Sequence, residues 1–363
     1  MEASLVHGSS SPQGVMRPKQ NSGLRFVSLL AAAMSVLLIG AGALVTTTGS
    51  GDAIPDWPLS YQRLIPPYLA GGVLYEWSHR VIAGLTGLTV LILTVLVWWW
   101  RAPFSWRFLT TLALIGILIQ AVLGGLRVLF VSDEQIQSRL SLVLPVHDPE
   151  SGRIVLAIGH AVLAQLVLSL VFSTAVLIWG RPEPIPSSIL RPLLVLSFTL
   201  MILMVVQLLL GALIRHLKAG LIIPDFPTTF GRWIPPIFSL PYEPTNPERM
   251  TYSEFAFKVF VHLAHRFNAI LVLAVAIGLV LFTRRHLPSR HTFRLFSKSL
   301  SHTLLLQIIL GGFVIWTGLN LLITILHTVI GALALGLSAA AVTLLLTSRQ
   351  SVNALRLGVR GVV

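Results

Sequence analysis

Eight stretches of this 363-residue chain are apolar over roughly twenty residues or more, the length an α-helix needs to cross the hydrocarbon core of a bilayer. Inside that core the backbone must satisfy its own hydrogen bonds, which leaves helices for segments of this length and composition. The spans fall at Phe26 to Thr46, Trp77 to Trp100, Phe108 to Val128, Ile154 to Trp179, Leu193 to Ile214, Phe257 to Phe282, Phe296 to Gly318 and Leu321 to Thr347. With 55% hydrophobic residues overall, the expected fold is an all-α integral membrane protein with eight transmembrane helices.

Loops on the cytoplasmic side collect Lys and Arg. Fifteen of the 26 basic residues, Arg17, Arg101, Arg181, Arg284 and Arg349 among them, share one side of this topology with only Glu2 and Glu183. The net charge of +13 therefore falls on that face, and both termini are expected in the cytoplasm. In a soluble domain such a basic balance would point to nucleic acid; here it follows from membrane insertion and contact with anionic lipid. Cysteine is absent, which excludes disulfides, thiolate metal sites and cysteine nucleophiles. Residues 1–25, rich in Ser, Gly, Pro and Gln, read as a mobile cytoplasmic tail rather than a cleaved leader, because the apolar stretch that follows is long.

The chain repeats itself. In the first half GAL (Gly42 to Leu44) is followed by IPDWP (Ile54 to Pro58), LIPP (Leu64 to Pro67), HR (His79, Arg80), QAVLGG (Gln120 to Gly125) and GH (Gly159, His160). In the second half GAL (Gly211 to Leu213) is followed by IPDFP (Ile223 to Pro227), WIPP (Trp233 to Pro236), HR (His265, Arg266), QIILGG (Gln307 to Gly312) and LH (Leu326, His327). Spacings differ mainly in the outer loops, where the second half is longer before HR and shorter after GG. The expected organisation is two four-helix bundles, 26–180 and 193–347, with a Pro-rich cytoplasmic linker at 181–192 and a tail at 348–363. An even number of spans per unit makes both insert the same way round, which implies a pseudo-twofold axis along the membrane normal.

His79, His160, His265 and His327 fall on the second and fourth helices of their halves, each within about two turns of the helix start. Seven residues before the last three stand Arg153, Lys258 and Asn320, polar residues suited to the interface; that separation is about 10 Å of helix. The two histidines of each half then share a depth at which a pair of imidazoles can clamp one macrocycle, a bis-imidazole haem site in each half. Gly124, Gly125, Gly311 and Gly312, at corresponding depth, either leave room for a flat porphyrin or serve the small-residue packing common between membrane helices. Arg80 and Arg266 either pair with haem propionates or snorkel to headgroups. His147, His286 and His291 read as loop residues, His7 lies in the tail, and His216 and His302 have no repeat partners.

One difference separates the halves: Glu76 stands one turn before His79, whereas His262 stands one turn before His265. A carboxyl beside one site only suggests chemistry in the first half and electron transfer in the second, the alternative being a helix cap or a group meeting interfacial water. Asp56 and Asp225 sit in Pro-rich outer turns that either cover the two sites or anchor at the interface through Trp57 and Phe226.

The ordered set of GAL, GSG before PDWPL, E-x-x-H-R, GH, then HR and LH closely resembles the haem A synthase family, over about Phe26 to Thr347. The resemblance implies a membrane oxidoreductase that oxidises the C8 methyl group of haem O to a formyl group, making haem A for terminal oxidases. It implies that His79 and His160 border the haem O substrate with Glu76 as catalytic carboxyl, and that His265 and His327 hold haem b. It further implies a place in the bacterial cell membrane near haem O synthase and terminal oxidase assembly factors, with homo-oligomers open. Many bacterial members carry a cysteine pair in the first outer loop; this chain has Ser60 there and resembles the cysteine-free subgroup. Two other functions fit four histidines: a dihaem b-type cytochrome passing electrons from quinol, and a haem transporter or chaperone. Prenyl transfer is disfavoured, since no Asp-rich magnesium motif occurs in the helices.

Overall fold

The computed structural model describes residues 21–143, 148–180, 183–236, 238–243 and 250–356; His7, His147, Arg181 and the tail segments 1–20 and 357–363 lie outside the described residues. The described chain is helical: α1 (Ser22–Thr47), α2 (Gly71–Trp99), α3 (Phe104–Ser132), α4 (Glu134–Ser141), α5 (Pro149–Trp179), α6 (Ser187–His216), α7 (Tyr252–His286), α8 (Thr292–Trp316) and α9 (Leu321–Arg356). All but α4 contain a stretch long and apolar enough to cross a membrane, so the eight expected spans are present.

The helices overrun most of the apolar stretches because polar caps, rather than loss of hydrophobicity, begin them. The Asn21 side chain accepts from the Leu24 N–H at 3.1 Å, Asp148 from Ser151 at 2.9 Å and Thr251 from Glu254 at 3.3 Å. His291, read from sequence as a loop residue, is buried and caps α8, its Nδ1 accepting from the Phe293 N–H at 3.1 Å. His286 likewise ends α7 rather than lying in a loop. Arg101, Lys218 and Leu319, just past α2, α6 and α8, adopt positive φ and turn the chain out of the helix.

The short helix α4 was not anticipated. It is polar, buries no residue and is capped by Asp133, which accepts from Gln135 and Ile136. It fills the extra length that the first half carries after its GG pair.

Helices α1, α2, α3 and α5 pack in a closed ring of neighbours, and α6, α7, α8 and α9 do the same. Between these groups α5 meets α9, α1 meets α9, and α5 meets α6. Each group has its own apolar core, one around Leu93, Val97, Trp106 and Ile178, the other around Leu193, Leu200, Leu279 and Leu300. Both cores use the starts of the odd-crossing helices and the ends of the return helices. The four histidines lie toward the opposite ends, on the side of the loops 48–70 and 217–251, where well-packed aliphatic residues give way to glycine and polar side chains.

Candidate functional site

Each histidine ring rests against a glycine on a neighbouring helix. A Cβ on Gly42 (α1) would stand 3.2 Å from His79 Cε1, and one on Gly124 (α3) 3.0 Å from His160 Cε1. In the second group Gly211 (α6) backs His265 at 3.3 Å and Gly311 (α8) backs His327 at 3.2 Å. The clearance at Gly124 and Gly311 is thus taken by imidazole, and that at Gly125 and Gly312 by the rings of Trp57 and Phe226, whose nearest atoms would be 2.5 and 3.0 Å from an added Cβ. At all four glycines a protein ring lies beside the position a Cβ would take.

His79 lies within electrostatic reach of His160, and His327 of His265. All four are largely surrounded by protein yet keep some accessible surface. Nδ1 of His79, His160 and His327 is buried on the glycine side of its ring and has no hydrogen-bond partner, an uncommon condition for buried imidazole. Gln120 and Gln307, unassigned in the sequence motifs, donate their amides to the main-chain carbonyls of His160 and His327, each at 2.8 Å, and so lock α5 to α3 and α9 to α8 at ligand depth.

The outer loops are built alike. Asp56 accepts from the N–H groups of Tyr61 and Gln62, both at 2.7 Å; Asp225 accepts from those of Phe230 and Gly231 at 2.7 and 2.9 Å. A two-way backbone bridge follows in each, Ser60 with Arg63 and Thr229 with Arg232. Ile54 and Ile223, which open the two motifs, are fully buried plugs. Burial alone would raise the pKa of Asp56, but the N–H groups of Gln62 and Tyr61 outweigh it and hold the carboxyl below the usual range; at Asp225 burial is likewise outweighed by bonds from Thr228, Gly231 and Phe230.

Arg80 and Arg266 hold these loops down. Arg80 donates to the carbonyls of Asp56 (2.8 Å), Leu59 (2.7 Å) and Ile54 (3.2 Å) and to Glu76 Oε1 (2.6 Å). Arg266 donates to the carbonyls of Thr228 (2.8 Å) and Asp225 (2.7 Å) and lies over the Phe226 ring. Both guanidiniums are thus engaged by the loops through their terminal nitrogens, while Nε of Arg266 is buried without a partner. Glu76 is buried at 3% exposure, its second oxygen accepting from the Ile54 N–H at 2.9 Å. It therefore ties the loop to α2 one turn from His79, in a setting far from bulk water. Its counterpart His262 is buried at 4%, with Nδ1 unpartnered.

A second asymmetry escaped the sequence reading. Gln207 Nε2 lies 3.1 Å from His265 Nε2, and Asn268 donates to Gln207 Oε1 at 2.7 Å. The corresponding first-half positions are Leu38 and Ile82, so His79 has no such brace. Gln207, one turn before the GAL glycine, was the available signal. Arg127 and Arg215 were also missed: the charge of Arg127 reaches His79 and His160, and that of Arg215 reaches His327.

Eight apolar helices with two imidazole pairs, each on the side of a stapled aromatic loop, define a polytopic membrane protein with duplicated histidine-bearing helix groups. Residues 70–339, which include Glu76 and all four histidines, match the COX15-CtaA family of cytochrome oxidase assembly proteins, and the chain belongs to that family. It is similar along its length to the haem A synthase of Staphylococcus carnosus (strain TM300), 28% identical over 335 residues, covering 90% of this chain and 95% of the relative. The haem A synthases of Staphylococcus aureus (strain bovine RF122 / ET3-1) and Staphylococcus saprophyticus subsp. saprophyticus (strain ATCC 15305) are each 26% identical, covering 90% of this chain and 97% of theirs.

Proposed function

We propose that this chain is a haem A synthase: it takes haem O as substrate and oxidises the C8 methyl group to a formyl group, through an alcohol and a hydrated aldehyde that loses water. The observation that carries the reading is the coincidence of a full-length family match with four glycine-seated histidines in two pairs. The residues present fit a porphyrin iron in both groups, since each group brings two imidazoles together and three of the four keep a buried nitrogen without a protein partner. His79 and His160 border the haem O substrate, and His265 and His327 hold haem b. When bound there, haem b supplies one-electron transfer.

Glu76 does the proton work of the first site. Its carboxyl, held between the Arg80 guanidinium and the Ile54 N–H, takes up a proton only by giving up part of that pairing, which couples its charge to the closure of the loop above His79. The loops keep water out, Trp57 and Phe226 lying on Gly125 and Gly312. The two four-helix groups are related by a pseudo-twofold axis along the membrane normal, in support of which stand the ordered motifs and the matching neighbour rings. The basic face is cytoplasmic and the loop side external. A source of haem O and the assembly of a terminal oxidase are the neighbouring steps.

The test is expression in cells that make haem O, followed by pigment extraction. Haem A is expected only with the parental chain. Glu76→Ala is expected to lose haem A while keeping the haem b spectrum, and His265→Ala or His327→Ala to disturb that spectrum. Haem O left unconverted by the parental chain overturns the function in favour of a dihaem electron carrier, and parental conversion by Glu76→Ala overturns the role of that residue.

A further inference from the structure

The arginines that follow His79 and His265 in sequence are tied to loop carbonyls; those that approach the imidazoles come from other helices. Arg127 stands three residues after Gly124 on α3, and Arg215 four residues after Gly211 on α6. Such a spacing keeps a side chain on the helix face of the glycine, and both glycines seat an imidazole. Each arginine therefore leaves its helix on the histidine-seating face, its Cα about 5 Å nearer the loops.

The two differ in company. Arg127 has Asp52 at 3.4 Å and the Gly51 carbonyl at 3.3 Å. Arg215 reaches across to α1, where Nη2 donates to Thr47 Oγ1 at 2.6 Å and meets the Ala43 carbonyl at 3.4 Å. Among the described residues no carboxylate pairs with it. Ala43 adjoins Gly42, the seat of His79, so Arg215 stands at the junction of the two helix groups. A guanidinium low in solvent exposure and without a counter-charge is costly in a membrane protein unless an anion completes it. Its planar donors match a carboxylate two at a time.

We propose that Arg215, with the Thr47 hydroxyl beside it, is the subsite for a propionate carboxylate of the porphyrin held by His265 and His327. This rests on the haem reading above and offers a carboxylate partner in the second half other than Arg266, whose Nη1 and Nη2 are tied to loop carbonyls. One residue of the first helix group then completes the cofactor site of the second, and the site forms fully only when the groups are packed together.

The test uses full-length, haem-depleted protein carrying His79→Ala and His160→Ala, so that only the second pair binds iron. It is titrated with iron protoporphyrin IX and with the dimethyl ester of the same porphyrin, and the Soret band is followed. The free acid is expected to bind about tenfold or more tighter than the ester, the usual weight of a charged hydrogen bond. Arg215→Gln should weaken the free acid by about that factor and leave the ester unchanged. Arg215→Lys, which keeps charge but not the paired donors, should retain part of the preference; it also serves if the glutamine variant fails to fold. An unchanged preference in either variant overturns the subsite. Binding of both porphyrins without preference overturns the subsite alone, whereas binding of neither overturns the histidine reading with it.

Discussion

An imidazole backed at van der Waals distance by a glycine cannot swing toward that helix, so the glycine sets ring position as firmly as a hydrogen bond would. The seats at Gly42, Gly124, Gly211 and Gly311 fall between 3.0 and 3.3 Å, close enough that an added methyl moves the ring by a few tenths of an ångström without forcing the helices apart. Gly311→Ala is therefore expected to leave the protein folded, with a stability loss of about 1 kcal/mol, and, if His327 holds haem b as proposed, to alter the electron paramagnetic resonance spectrum. The neighbouring glycines behave differently because rigid aromatics face them. Gly125→Ala would place Cβ 2.5 Å from Trp57, against 3.0 Å from Phe226 at Gly312. Gly125→Ala is expected to lower the melting temperature more than Gly312→Ala, by the equivalent of about 1–3 kcal/mol of overpacking. Equal melting shifts would mean that the first loop yields instead of clashing.

At the scale of elements, the two outer loops are the parts most exposed to pH. Asp56 and Asp225 each accept two N–H groups of their own turn and have carboxyls below the usual range. A carboxyl whose pKa is depressed on folding stabilises the fold fully above its unfolded pKa and loses that contribution as pH falls through the lower folded value. The loops should stay closed at neutral pH and become protease-sensitive below about pH 4, with Asp56→Asn or Asp225→Asn already sensitive at neutrality. Limited proteolysis across a pH series checks this, and parental loops that open near pH 6 would point to another group. The loops also mark where sequence stopped being legible. The spans were readable because twenty apolar residues admit one backbone solution, and the histidines because the repeat placed them at equal depth. The partners of Arg80 and Arg266 were not, because main-chain carbonyls in a Pro-rich loop leave no mark in residue identity. His291 looked like a loop residue because a capping histidine and a loop histidine read the same, and α4 has no apolar face to announce it. Gln207 and Asn268 sit on separate helices, and only packing brings them together against His265.

Across the whole molecule the two helix groups are duplicated in plan and unequal in detail: Glu76 against His262, Leu38 against Gln207, Ile82 against Asn268. The unbraced imidazole and the buried carboxyl fall together in the first group, and the braced imidazole in the second. That division suits a site where a large substrate must enter and leave beside one where a cofactor stays. Both must be held in register, and the seam that does so runs along α5 and α9. On that seam Gly336 faces Leu168 and Phe172, which would lie 2.8 and 3.0 Å from an added Cβ. Leu168 cannot withdraw freely, since it is itself buried. Gly336→Ile is expected to wedge the seam, at a cost of about 1–3 kcal/mol, while leaving each group's own core untouched. Co-expression of the chain as two pieces cut in the 181–186 linker isolates this effect. The parental pieces should co-purify, and the pieces carrying Gly336→Ile should separate while each stays helical by circular dichroism. Loss of helix in the second piece alone would show that α9 depends on the seam for its own folding, and the groups would then be one cooperative unit rather than two joined ones.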